Sequence, residues 1–156
     1  VQNDATEAGD VENADSTSYT YSGSNKVIGI GGVFFKSADP NALMAWYSKN
    51  LGMQMNGYGV RWEWQEPGPD SMRMGSCQWS VFPESSNYMA PSQKDYMLNY
   101  RVEDIETLVK ELESSGVQML DTITTYSYGK FVHLLDPDSN NIELFEPNYD
   151  FELPGT

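Results

Sequence analysis

The chain has 156 residues, of which 39% are hydrophobic and 13% aromatic, and it carries a net charge of −14. That length suits one domain, or two half-domains sharing a core, and the charge argues against nucleic acid and anionic membrane surfaces, whose phosphates recruit Lys and Arg. No apolar run approaches the roughly 18 residues of a membrane span, and a single cysteine, Cys77, excludes an intramolecular disulfide or a thiolate zinc site.

Residues 1–25 hold Asp4, Glu7, Asp10, Glu12 and Asp15 with no Lys or Arg, a charge of −5. They are rich in Ser, Thr, Asn and Gly and too poor in apolar groups to offset their ordering entropy. They read as an acidic polar tail, with Tyr19 and Tyr21 as its anchoring side chains. The chain starts at Val1, which fits trimming. A cytoplasmic location is favoured, and export after removal of a signal stays open.

From Lys26 the pattern alternates strand, helix, strands. "KVIGIGGVFF" reads as a strand. Asp39 and Pro40 suit a helix cap and first turn. Leu43, Trp46, Tyr47 and Leu51 form an amphipathic stripe for core packing, and Gly52 suits a left-handed stop. "MQMNGYG", "VRWEWQE" and "SCQWSVFP" read as three short strands. The order then recurs. "DYMLNYRV" is a strand, and Asp104 starts a helix with Ile105, Leu108, Val109 and Leu112 on one face and Gly116 as its stop. "VQMLDTI", "GKFVHLLD" and "NIELFEP" follow as strands, the last two a hairpin around the turn formers of "DPDSNN".

The two passes form a repeat. "LGMQM" at 51–55 matches "SGVQM" at 115–119, and Pro83 and Pro147 close the passes, both at an offset of 64. Asp39 and Asp104 stand 65 apart, so one residue slips within the helix. The expected fold is α+β: two βαβββ modules, 26–92 and 93–149, forming a curved mixed sheet around a cleft, with residues 150–156 as a C-terminal tail. One such module is too small to bury both its helix and its sheet, which is why two pair. The cleft between them is the expected ligand site.

"GGVFFKSADPNALMAWYSKNLGM" and "GKFVHLLDPDSNNIELFEP" resemble the opening strand and helix and the closing hairpin of the vicinal-oxygen-chelate superfamily, which includes glyoxalase I, bleomycin-resistance proteins and extradiol dioxygenases. The resemblance covers about residues 26–148. Ser139 stands where the family usually has Gly. The family's chemistry rests on metal ligands at equivalent strand positions of the two modules, and the resemblance places these at Gly32, Trp79, Met97 and Glu143. Of the four, only Glu143 offers an oxygen ligand. A glycine has no side chain, an indole nitrogen only donates, and a thioether is too soft to sit beside a carboxylate on a hard ion. His133, cleft-facing by the same resemblance, raises the count to two, short of the three protein ligands of a catalytic zinc. No cofactor is therefore expected, and a divalent metal is disfavoured. The resemblance also implies a homodimer.

Two readings stay open for each polar candidate. Glu143 either satisfies a turn amide or a base, or serves a ligand as contact or general base. His133 is either a satisfied core group or a cleft residue held charged by a carboxylate. Alternation puts Asn99 and Arg101 on the Met97 face as polar contacts, with Arg101 alternatively neutralising Glu143. Phe131 shares the His133 face. The aromatics Trp62, Trp64, Trp79 and Phe34 are candidates for stacking on a flat apolar or cationic molecule, and "YSYG" at 126–129 for a mobile lip. Three functions follow. One is a metal-independent protein that binds a small aromatic or cationic molecule. Another is a glyoxalase-like lyase, isomerase or dioxygenase using Glu143 and His133. The last is a regulatory or structural domain whose cleft its own side chains fill.

Overall fold

The computed structural model describes residues 26–68 and 71–151. The two tail assignments, residues 1–25 and most of 150–156, lie outside them. The elements are β1 (Val27–Ser37), α1 (Pro40–Leu51), β2 (Val60–Pro67), β3 (Met72–Pro83), β4 (Tyr96–Val102), α2 (Ile105–Ser114), β5 (Thr124–Tyr126), β6 (Gly129–Leu135) and β7 (Asn141–Pro147). The seven strands form one open curved sheet in the order β2-β3-β1-β4-β7-β6-β5. Each module pairs its first strand in parallel with its last, β1 with β3 and β4 with β7, and the modules join where β1 meets β4 antiparallel.

Both helices start and stop where local chemistry directs. Asp39 Oδ1 accepts the Ala42 N–H at 2.9 Å, and Asp104 Oδ1 accepts the Thr107 N–H at 3.0 Å. Gly52 and Gly116 follow with φ of 68° and 85°, conformations that cost a β-carbon dearly. The helices differ in what they bury. Ile105, Leu108 and Val109 of α2 join Val102, Val132, Leu134 and Leu144 in the main core. In α1 no residue is buried. Its stripe is only half used: Tyr47 packs on Trp79, but Trp46 and Leu51 stay 54% and 60% exposed.

The α+β class and the paired order are as expected, with one strand fewer. "MQMNGYG" forms no strand, only an isolated bridge between Asn56 and Gly59. Its glycines and Asn favour a tight turn instead, and the Tyr58 carbonyl is held by Gln78 and Ser80. "VQMLDTI" likewise makes a single bridge, Met119 to Leu134, and the strand forms later at Thr124–Tyr126. The first module is thus βαββ and the second βαβββ. The linker, residues 84–95, folds back onto the sheet. Its Met89 is fully buried between Phe34 and Met97, and the Ser92 hydroxyl donates to the Ser139 carbonyl.

Candidate functional site

Register lays a polar row across the middle of the sheet. Gly32 on β1 faces Asn99 on β4, Asn99 faces Glu143 on β7, and Glu143 faces His133 on β6. Opposite residues in adjacent strands share a face and stand about 5 Å apart, so three side chains meet directly. On one side runs a row through Phe131, Phe145 and Arg101. On the other, Met97 faces Phe34.

Glu143 is the hub. It is 1% exposed, and it accepts from Asn99 Nδ2 at 2.6 Å, from the Tyr88 hydroxyl at 2.5 Å and from His133 Nε2 at 2.8 Å. The opposite ring nitrogen, His133 Nδ1, lies 2.7 Å from Asp121 Oδ2, while Asp121 Oδ1 accepts the His133 backbone N–H. The imidazole is held between two carboxylates. Burial opposes its charge, but the hydrogen bonds and charges of Glu143 and Asp121 outweigh that and raise its pKa above the ordinary value. Burial, and next the Glu143 carboxylate, push the Tyr88 phenol far above its usual range. It therefore stays neutral and donates.

A pocket of about 330 Å³ opens beside this network, lined by Tyr88, Asp121, Thr124, Tyr126, Tyr128, Phe131, His133 and Glu143. The Tyr126 and Tyr128 rings stack at 5.3 Å, and each meets Phe131 edge-on. Tyr88 closes the far wall, its ring edge-on to His133 and stacked on Phe82. The residues read as a lip form the β5–β6 turn, and their rings make one wall of the pocket.

Of the residues selected from sequence, the structure gathers Glu143, His133 and Phe131 at the pocket, with Asn99 beneath it. It places the rest elsewhere. Arg101 does not neutralise Glu143: it pairs with Glu66 and lies over the Trp64 ring at 5.3 Å. Trp62 is half-exposed on β2. Phe34 and Met97 are packed by Met89. Trp79 is pinned between Phe35 and Tyr47 of α1, at ring distances of 5.1 and 4.8 Å, away from the pocket. The physical reason is register. The β1–β4 ladder shifts twice, between Val27 and Gly29 and between Ile30 and Gly32, so Gly32 faces Asn99 rather than Met97, and in the regular β1–β3 ladder its neighbour is Gln78 rather than Trp79. A slip of one residue turns a side chain to the other face. Tyr88 and Asp121 were not selected from sequence. Tyr88 lies in the linker between modules and Asp121 in the segment read as a strand, so no periodic signal marked either.

The donor set does not fit the family's metal. In the observed row Gln78 and Asn99 stand where Trp79 and Met97 were expected: Gly32 supplies nothing, the Gln78 amide donates to the Tyr58 carbonyl and the Ser80 hydroxyl, Asn99 donates to Glu143, and Glu143 already accepts three hydrogen bonds. His133 meets Asp121 and Glu143 through opposite ring nitrogens, so the three cannot converge on one ion.

Sheet, linker and pocket together define a paired-module α+β protein with a carboxylate–imidazole network under an aromatic wall. The chain belongs to the Glyoxalase/Bleomycin resistance protein/Dioxygenase superfamily, whose family model matches residues 30–144. Solved structures of similar fold include methylmalonyl-CoA epimerase from Mycobacterium tuberculosis, at 20% identity and a TM-score of 0.53 over 79% of this chain and 90% of that one. Another is methylmalonyl-CoA epimerase from Streptomyces coelicolor in complex with 2-nitronate-propionyl-CoA, at 13% identity and a TM-score of 0.54 over 78% and 98%. A hypothetical protein from Bacillus halodurans C-125 gives 15% identity and a TM-score of 0.52 over 80% and 97%. At these identities the likeness is one of fold. A search of curated proteins by sequence found no match.

Proposed function

We propose that this protein binds a small aromatic cation without using a metal. The observation that carries the reading is the composition of the pocket: four aromatic rings around a floor where two carboxylates, Asp121 and Glu143, face one imidazole. Flat π faces attract cations, and the floor keeps a net negative charge. A general base needs a lone pair aimed at its substrate. Here both nitrogens of His133 are engaged, and three of the roughly four acceptor sites of Glu143 are taken, which favours binding over proton abstraction. The test is calorimetric titration with N-methylquinolinium and with neutral quinoline at pH 7. The cation is expected to bind at least tenfold more tightly, and Tyr126→Ala to weaken it about tenfold, since a cation–π contact is worth roughly 0.5–2 kcal/mol. Equal affinity for the two molecules, or affinity indifferent to Tyr126→Ala, would reject the reading.

A second reading rests on the unbroken chain Tyr88–Glu143–His133–Asp121, which leads from the Tyr88 phenol through a buried carboxylate to an exposed one and could relay a proton in a lyase or isomerase. Methylmalonyl-CoA, named for the two epimerases of similar fold, is the first probe. Deuterium entering it from D₂O in the presence of wild-type protein but not Glu143→Gln would favour this reading over simple binding.

A further inference from the structure

In the second module β5 covers the outer edge of β6. The first module has no counterpart, because residues 53–59 turn instead of extending, and β2 is left as the border of the sheet. Among the described residues nothing pairs with the outer backbone edge of β2. Such an edge presents a row of unsatisfied N–H and C=O groups that invites another strand. β2 is eight residues long and exposed over most of its length. Its Trp62 and Trp64 are 46% and 39% exposed on one face, and Arg61 and Glu63 stand on the other.

We infer that the edge of β2 pairs antiparallel with β2 of a second copy, about a twofold axis at Trp62. An isologous pair sets each strand against itself in reverse, so its register is fixed by the residue on the axis. Centres from Trp62 to Gln65 keep at least five residues of Val60–Pro67 paired, while Arg61 keeps three, and centring on Gln65 sets Trp64 against Glu66. Centring on Arg61 stacks two arginines, and centring on Glu63 stacks two glutamates. Centring on Trp64 sets Glu63 against Gln65 and Trp62 against Glu66. Centring on Trp62 sets Arg61 against Glu63 twice, Trp62 against itself and Val60 against Trp64. That arrangement pairs opposite charges on one face and apolar groups on the other, the two kinds of cross-strand pair that stabilise a ladder. The charge distribution agrees. Residues 26–94 hold six bases and five acids, while residues 95–156 hold three bases and thirteen acids, so copies repel least where their first modules meet. The pairing would extend the sheet to fourteen strands and leave both pockets at its far ends.

Sedimentation equilibrium on the full chain tests this, with three variants whose exposed side chains leave folding intact by circular dichroism. Wild type is expected to be a dimer at micromolar concentration. Arg61→Glu and Glu63→Arg each place like charges across the axis and should weaken the dimer at least tenfold. The double variant Arg61→Glu/Glu63→Arg restores both pairs and should return it. A wild-type monomer would overturn the proposal and leave the edge to residues 1–25 or to solvent. A dimer indifferent to the single changes, or one not regained in the double variant, would overturn it as well.

Discussion

Glu143 shows how one side chain can organise a site without being free to react. Its carboxylate is removed from water and held by an amide, a phenol and an imidazole from three different elements. Such a group stabilises the fold only while all its partners are present. Glu143→Ala leaves the buried Asn99 amide and the part-buried Tyr88 and His133 donors without their acceptor and is expected to cost about 2 kcal/mol or more in urea unfolding. The same substitution should lower the pKa of His133, read from the imidazole proton shifts. His133 gives the stability of the protein a sign with pH. Its folded pKa is raised above the unfolded value of about 6.5, so the folded state binds the extra proton. That contribution is complete below the unfolded pKa and is lost as pH rises through the folded one. Unfolding measured on the alkaline side of pH 6.5 should show wild type losing stability relative to His133→Gln. A constant difference between the two across that range would remove His133 from the account. Ser139, by contrast, is a residue at odds with its backbone. It holds a φ of 62° in the turn between β6 and β7, where the family usually places Gly. Ser139→Gly should raise stability by about 1 kcal/mol, the left-handed penalty less the entropy that glycine adds.

Elements of the two modules have the same local grammar and different surroundings. Each helix is capped by an aspartate, but α2 anchors the main core and α1 buries no residue. Asp104→Ala should therefore lower global stability, read as an earlier urea midpoint, as the loss of a cap from a helix tied to the core does. Asp39→Ala should fray α1 locally, seen as faster amide exchange in residues 41–44 with a smaller global effect. The linker is the element that shapes the site most. Met89 plugs the cleft between Phe34 and Met97, and Tyr88 reaches Glu143. These two side chains occupy the centre of the concave face and leave the pocket to one side, under Tyr126 and Tyr128. The third hypothesis drawn from sequence, a cleft filled by its own side chains, thus describes one part of the cleft and not the pocket beside it.

At the scale of the whole molecule, two half-domains share one sheet, and chemistry is divided between them. The polar network and pocket belong to the second module and the linker. The first module contributes Phe34, Gly32 and Glu66, which pairs with Arg101 of the second. With Gly32 lacking a side chain and Gln78, Asn99 and Glu143 of the same row engaged in hydrogen bonds, the proposed binding should survive EDTA unchanged, and elemental analysis should find less than a tenth of an equivalent of Zn, Ni, Mn or Fe. One equivalent of metal, removed by EDTA together with binding, would refute metal independence.

The sequence by itself determined what depends on neighbours in the chain. Helix starts at Asp39 and Asp104, stops at Gly52 and Gly116, the hairpin at residues 136–140 and the paired repeat could all be read because capping, turn chemistry and apolar period are local. Glu143 and His133 were legible as partners for the same reason, standing opposite one another across a hairpin. Only the tertiary structure decided the rest. Strand pairing set Gly32 against Gln78 and Asn99, put Trp79 on the face toward α1 and brought Asn99 to Glu143, and a periodic pattern carries no record of which residues face one another across strands. The fold-back of the linker brought Tyr88 across 55 residues of sequence to the same carboxylate, and the path after α2 brought Asp121 to His133. Contacts of that kind are set by how the whole sheet packs and curves, and no short window of sequence contains them.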